Sequence, residues 1–446
     1  MSKQLLTCAF ASVVVFLWSA AQAGAPPRTD YRVLGVARAR FKPGQLRLPL
    51  VVHERSGVAR SGVVVTSGVP FPPGFLTDVK KLGVVDKDGA PVPSQAVVMI
   101  KWWKPTYDDS VQWALVSFLC DVPANGTSTY YLTDDGKAVP PKTPLDISEG
   151  WDGSHRIGTG PATFVVLGSG NSLIAGAKLG NRDVIAGKGL RGVITSGEWP
   201  GRKLAAASTH AGTHQRQHVK VEEQGPVRVV VTIKGRHKPG DKDGKHYDFT
   251  ARLYFEANSP TVRIVYTIRN GVLDPKLING KRRAYIWPIE DASLVADLAL
   301  GDGAQATTLA EGKEVTAAEL AAYQDSSGGD KWQKLGGGNY ENWLSRYTKG
   351  QTVRGVTFRG YKVTAGDREL GKGNAHSGVI DVSNGKLGVA AALRNFRVEY
   401  PSAIAASGKQ LRIGLFPGEF SEPFHLKSGQ RESWDVRLTL HADKAP

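Results

Sequence analysis

Cysteine is nearly missing from these 446 residues, which contain only Cys8 and Cys120. The first falls in a leader-like segment, so Cys120 is left without a partner and no internal disulfide can support the fold. In the apolar stretch Val116 to Val122 it amounts to a small buried hydrophobe. Apolar residues at helical spacing are also scarce, and the one short helix the pattern predicts lies near Thr316 to Tyr323. After the leader, no stretch approaches the ~20 apolar residues of a transmembrane helix, so a soluble chain with no membrane partner is expected. There is no P-loop, no nucleophile-elbow serine and no HExxH pattern, which disfavours the chemistries those motifs carry. Gly187-Lys188-Gly189-Leu190-Arg191-Gly192 formally matches a dinucleotide fingerprint, but it follows no strong strand and opens no helix, so a turn is expected there.

Glycine and proline, at 52 and 25 residues, are spread along the chain as punctuation between short alternating segments. This predicts an all-β fold with very little helix. The first unit, to about residue 150, contains short strands such as Leu46 to His53, Val63 to Thr66, Gln95 to Trp103, Val111 to Cys120 and Ser128 to Leu132, which suit a small barrel or sandwich. Residues 136–152 are proline-rich at their start and read as a linker. The second unit, 151–446, suits an antiparallel sandwich of two large sheets.

The centre of that second unit is a meander in which apolar residues take every second position. They are Val227, Val229, Val231, Ile233, then Tyr247, Phe249, Ala251, Leu253, Phe255, then Val262, Ile264, Tyr266, Ile268. The alternate positions carry Arg228, Thr232, Lys234, then Asp248, Thr250, Arg252, Tyr254, then Arg263, Thr267, Arg269. A polar sheet face with excess positive charge should therefore look away from the core. Just upstream, His214, Arg216, His218 and Lys220 share one parity, which predicts a basic strip along one strand face. The spacing of His210, His214 and His218 would suit a metal on a helix. Here the neighbours alternate, Gly212 disfavours helix and no acid or cysteine sits at ligand spacing, so no cofactor or metal is expected, with calcium left open.

Residues 1–23, with Lys3, an apolar run from Leu5 to Trp18 and Ala21-Gln22-Ala23, have the zones of a signal peptide. A secreted or periplasmic protein follows. The formal net charge of +16 attracts polyanions. Outside the cell that means acidic polysaccharide rather than nucleic acid, for which no recognition module is present.

Several stretches together resemble the exo-rhamnogalacturonan lyase and YetA-like family. Gly68-Val69-Pro70-Phe71-Pro72-Pro73-Gly74, Ser110 to Phe118 and Val122-Pro123-Ala124-Asn125-Gly126 resemble its N-terminal RIFT-type barrel. Gln224-Gly225-Pro226-Val227-Arg228, Phe255 to Arg263, and Val389 to Pro401 running into Leu411 to Pro417 look like its central β-sandwich. The resemblance implies a carbohydrate-active protein working on uronate-containing polysaccharide such as pectin or rhamnogalacturonan. Longer members of that family continue from a segment like Trp434 to His441 into a helical α/α toroid that takes part in the substrate cleft. This chain reaches Pro446 without one, as a natural short form, a fragment or a protein whose partner supplies the toroid would, and two expectations stand: a polysaccharide lyase or related carbohydrate-active enzyme, or a noncatalytic glycan-binding or scaffold protein of two β-domains.

β-Elimination needs a cation to neutralise the uronate, a base to take the α-proton and an acid for the leaving oxygen. The candidates are His214, Arg216 and His218 on the basic strip, with Tyr247 or Tyr340 as the acid. Lys220, Arg228, Arg252 and Arg263 would hold the substrate, joined by Trp332, Trp343 and Arg346 from a glycine-flanked aromatic stretch. The same strip can equally be a solvated basic surface, and the aromatics can equally be core.

Overall fold

The computed structural model describes residues 42–103, 109–198, 205–237, 246–271, 277–278, 281–282, 287–329, 357–420 and 423–442. The leader-like segment and Trp332, Tyr340, Trp343 and Arg346 lie outside the described residues. Among those described there is no α-helix, and Val79–Lys81 forms one 3-10 turn. In the N-terminal part, β1 (Arg60–Pro70), β2 (Ser94–Lys101) and β3 (Val111–Val122) make a three-stranded antiparallel sheet with β3 in the middle. A four-stranded sheet of Leu48–His53, Thr127–Thr133, Gly83–Val85 and Pro91–Val92 faces it. Ala114, Val116, Phe118 and Cys120 alternate along β3 and point into the space between the sheets, where Phe118 lies 5.2 Å from Tyr130. Cys120 is buried, and burial pushes its thiol up to about 11, so it is held protonated as an unreactive apolar group.

The rest is a sandwich of a thirteen-stranded and a nine-stranded sheet, counted over the described residues. The larger includes β4 (Arg182–Glu198), β5 (Ala205–Ala211) and a central strand Trp287–Leu298. In the smaller, β6 (Thr213–Gln224), β7 (Arg228–His237), β8 (Tyr247–Glu256), β9 (Thr261–Asn270) and β10 (Arg431–His441) are successive antiparallel neighbours. The predicted alternation is realised: along β8, Tyr247, Phe249, Ala251, Leu253 and Phe255 are buried and their neighbours half-exposed. The two inner faces form one apolar core, with Phe164 of the larger sheet 5.1 Å from Phe255 of the smaller. Each fully buried large side chain there contributes about 1.5–3 kcal/mol.

Two local expectations fail. The segment predicted as a helix near Thr316 to Tyr323 is two strands, Lys313–Ala317 and Glu319–Gln324. Leu320 and Ala322 alternate into the core, so sheet neighbours on both sides override the helix preference of its alanines. The 136–152 linker contains a strand, Asp146–Glu149, which pairs with His155–Gly158 at the edge of the larger sheet. The Gly187 to Gly192 motif is an irregularity inside β4: Gly187 and Gly189 have φ of +62° and +63°, and the register shifts between Ile185 and Leu190.

The N-terminal sheets are bolted to the end of the sandwich. Leu119 packs with Val227 and Ala257. The Gln95 amide oxygen accepts from the backbone N–H groups of Val227 and Arg228 at 2.9 and 2.8 Å, and its nitrogen donates to Glu223 at 2.6 Å and the Arg228 carbonyl at 3.0 Å. Arg228 in turn pairs with Glu223 at 2.7 Å and donates to Thr66 at 3.0 Å. It was expected among the ligand-facing arginines, but the lobe joint covers it to 6% exposure.

Candidate functional site

The basic strip does not keep one face, because the strand that carries it begins at a corner and is then broken by a bulge. At Gly212 the chain leaves the larger sheet at the end of β5 and enters the smaller one as β6. A Cβ there would sit 2.7 Å from the Phe249 ring and 2.9 Å from His237, so this corner takes only glycine. The turn points His214 inward: it is 5% exposed, pairs with Gly235, and donates from Nε2 to the Leu167 carbonyl at 3.1 Å. Burial holds its imidazole below the ordinary histidine range, so it is neutral at neutral pH. Between His214 and Val219, β6 advances five residues while β7 steps back only from Gly235 to Ile233. The surplus arches outward and leaves Gln215, Arg216, Gln217 and His218 all exposed. Arg216 leans away onto Glu149 at 3.1 Å and the Trp151 carbonyl at 3.1 Å.

Beside this bulge lies a groove of about 540 Å³ on the outer face of the nine-stranded sheet. Cross-strand register explains its shape. One row runs Thr213, Arg236, Asp248, Arg269, Arg431 and the next runs Lys234, Thr250, Thr267, Ser433. The second row gives a low floor of hydroxyls, with Thr267 and Ser433 hydrogen-bonded at 2.8 Å. The first gives a taller wall in which Asp248 is clamped between Arg236 at 3.2 Å and Arg269 at 2.5 Å. His218 and Gln215 close the end at β6. Lys234 and Arg431 line the groove without an ion pair among the described residues. They stand on β7 and β10, three strand spacings or ~14 Å apart. The site therefore offers cations at both ends, hydroxyls between, and one imidazole.

The remaining predicted residues are placed as follows. His218 and His214 both line the groove, His218 exposed and His214 nearly buried. Tyr247 is 1% exposed, on the core face, and cannot reach a ligand there. His210 bonds Ser208 at 2.7 Å on the other sheet, so the three histidines do not converge. Lys220 is exposed further along β6. Arg252 and Arg263 lie on the expected face, engaged with Glu222 at 2.8 Å and Asp435 at 2.9 Å. Lys234, Asp248 and Arg269 belong to the predicted polar face but were not singled out as site residues. Arg431 comes from a strand 162 positions beyond Arg269, and nothing local in the sequence couples the two.

Fold and site together define a nearly all-β protein with an open cationic groove on one sandwich face. Residues 146–277 match the family model for the PcRGLX-like protein central beta sandwich domain. That segment supplies β6 to β9, and with them most of the groove. No curated protein matches the chain. Among solved structures, a protein in the glycosyl hydrolase family 38 from Enterococcus faecalis is 10% identical with a TM-score of 0.50, covering 89% of this chain and 44% of its own. An alpha-mannosidase from the same organism is 11% identical, with 89% and 43% covered and a TM-score of 0.43. A galactose mutarotase-like protein from Clostridium acetobutylicum is 9% identical, with 68% and 99% covered and a TM-score of 0.36. The likeness to the first is one of fold, and this chain spans less than half the length of the first two.

Proposed function

We propose that this is an exported carbohydrate-active protein that binds acidic, uronate-containing polysaccharide across the outer face of its nine-stranded sheet. The observation that carries this reading is the groove, with Lys234 and Arg431 at opposite ends and a hydroxyl floor between them, built largely by the segment that matches the PcRGLX-like sandwich domain. Cations suit carboxylates, and Thr250 and Thr267 suit sugar hydroxyls. On an open, solvated face the attraction is screened by salt. The test is retention on an immobilised uronate polymer at low ionic strength. Changing both Lys234 and Arg431 to Ala should weaken it about tenfold, and raising the salt should weaken the native protein similarly. Retention indifferent to both would remove the groove from the reading.

Catalysis is the second reading, favoured by one position. His218 lines the groove beside Lys234 and Arg236, where a base would meet a neutralised uronate. β-Elimination makes a conjugated double bond, so ultraviolet absorbance should rise on mixing with polymer and stop rising in His218→Ala. Binding with no absorbance change leaves a glycan-binding protein, alone or beside a partner that brings the rest of a cleft.

A further inference from the structure

A second surface follows from the way the N-terminal sheet meets the sandwich. Along β3, Leu119, Ser117, Leu115 and Trp113 share one face. Leu119 packs against the sandwich, and Thr66 and Gln95, the register partners of Ser117, bond Arg228 at the joint. The same face then continues two strand steps beyond that row, ~13 Å, and is no longer covered. Trp113 is there with 40% of its surface exposed, flanked in register by Pro70 and by Ile100, itself 53% exposed. Gly68 explains how the ring lies. A Cβ on Gly68 would be 3.5 Å from the Trp113 ring edge, so the indole packs down against the sheet over a residue with no side chain while part of it stays open to solvent.

We infer that this ledge is a second carbohydrate-binding surface, on which a sugar ring of the acidic chain held by the groove lies with its apolar C–H face against Trp113. The inference rests on the glycan reading above and extends it. A partly exposed indole backed by the sheet, with Pro70 and Ile100 beside it, offers an apolar face of the kind on which a pyranose ring packs. Its continuity with the joint at Arg228 places it on the lobe that borders the cationic face. A chain long enough to reach both surfaces is held at two points, and the second contact is then intramolecular and effective even if weak.

The experiment compares affinity for a long uronate-containing polymer with affinity for short acidic oligosaccharides that fill the groove alone. Trp113→Ala should weaken polymer binding about three- to tenfold, the range of an aromatic contact, and leave short-fragment binding unchanged. Trp113→Tyr, which keeps a stacking ring, should stay near native. If Trp113→Ala does not fold, Ile100→Asp beside the ring should reduce polymer binding selectively in the same way. Native protein that binds polymer and fragments, with polymer affinity unchanged in these variants, would overturn the ledge alone. Native protein that binds neither overturns the groove reading from which it starts. If sedimentation shows a native dimer that Trp113→Ala converts to monomer, the ledge is a contact between copies and the inference is wrong.

Discussion

Acidifying the protein from neutral pH to about pH 4 is expected to remove about 6 kcal/mol of folding stability through two buried histidines, His237 and His376. Both are nearly inaccessible, at 1% and 2% exposure. Burial lowers each imidazole from 6.5 to about 4. Burial is the cause at both, and at His376 the hydrogen bonds oppose a second proton as well. His237 donates from Nδ1 to the His210 carbonyl at 3.2 Å and accepts at Nε2 from the Tyr266 hydroxyl at 2.7 Å, packed between Phe249 and Tyr266. His376 accepts at Nδ1 from the Gly378 N–H at 3.0 Å and donates from Nε2 to Thr308 at 3.1 Å, between Tyr361 and Phe396. Thr308 passes its own proton to the Val379 carbonyl, so that direction is fixed. A proton on His376 Nδ1 would set two N–H groups against each other.

The sign of the effect follows. Between the unfolded value of 6.5 and the folded value of about 4 the unfolded chain binds more protons, so stability is complete above 6.5 and falls as pH drops through that window. Each group loses about 3 kcal/mol by pH 4 at 1.36 kcal/mol per unit. Urea unfolding at a series of pH values checks this. The native protein should lose stability between the two values, and His237→Gln with His376→Gln should start less stable but show a flatter dependence. A native profile that is flat across the window rules the mechanism out. The position of His237 is also what makes Gly212 obligatory, because the imidazole and Phe249 fill the space a side chain would need. His237 therefore contributes both to the acid sensitivity and to the strand corner at Gly212.

The sandwich core was legible in the sequence because period-two alternation is a property of each strand alone. Val262, Ile264, Tyr266 and Ile268 had to face one way whatever their neighbours did, and they do. The groove was legible only in part. Lys234 and Arg269 could be assigned to the outer face by parity, but which row each occupies depends on register, and register depends on Gly235 pairing Phe249 and Thr267 pairing Ser433. The basic strip misled because parity counting assumes an unbroken strand, and the bulge after His214 breaks it. Arg228 misled for a different reason. It does lie on the outer parity, but the N-terminal sheet covers that end of the face, and no alternation within a strand reports what another lobe buries.

That covered arginine gives the second large effect. Removing either member of the Arg228–Glu223 pair should cost about 3–5 kcal/mol, because the partner is left charged and out of water. Their side chains are 7% and 9% exposed, at 2.7 Å. Arg228→Ala would strand the Glu223 carboxylate with only the Gln95 amide at 2.6 Å, and Glu223→Ala would leave the guanidinium with Thr66, the Tyr254 ring, 5.8 Å from its centre, and the through-space attraction of Glu256 across the strand. Replacing both at once, Arg228→Met with Glu223→Leu, should restore most of the loss, since two apolar chains of similar volume leave no unpaired charge. The location predicts more than a lower midpoint. Gln95, Thr66, Glu223 and Arg228 join β1 and β2 to the turn between β6 and β7, so weakening them weakens the coupling between the lobes. Chemical unfolding of Arg228→Ala should separate into two transitions where the native protein shows one. If either single variant costs under about 1 kcal/mol, the pair is solvated in practice and the joint rests on the apolar contact of Leu119, Val227 and Ala257 and on the Gln95 bonds to the backbone.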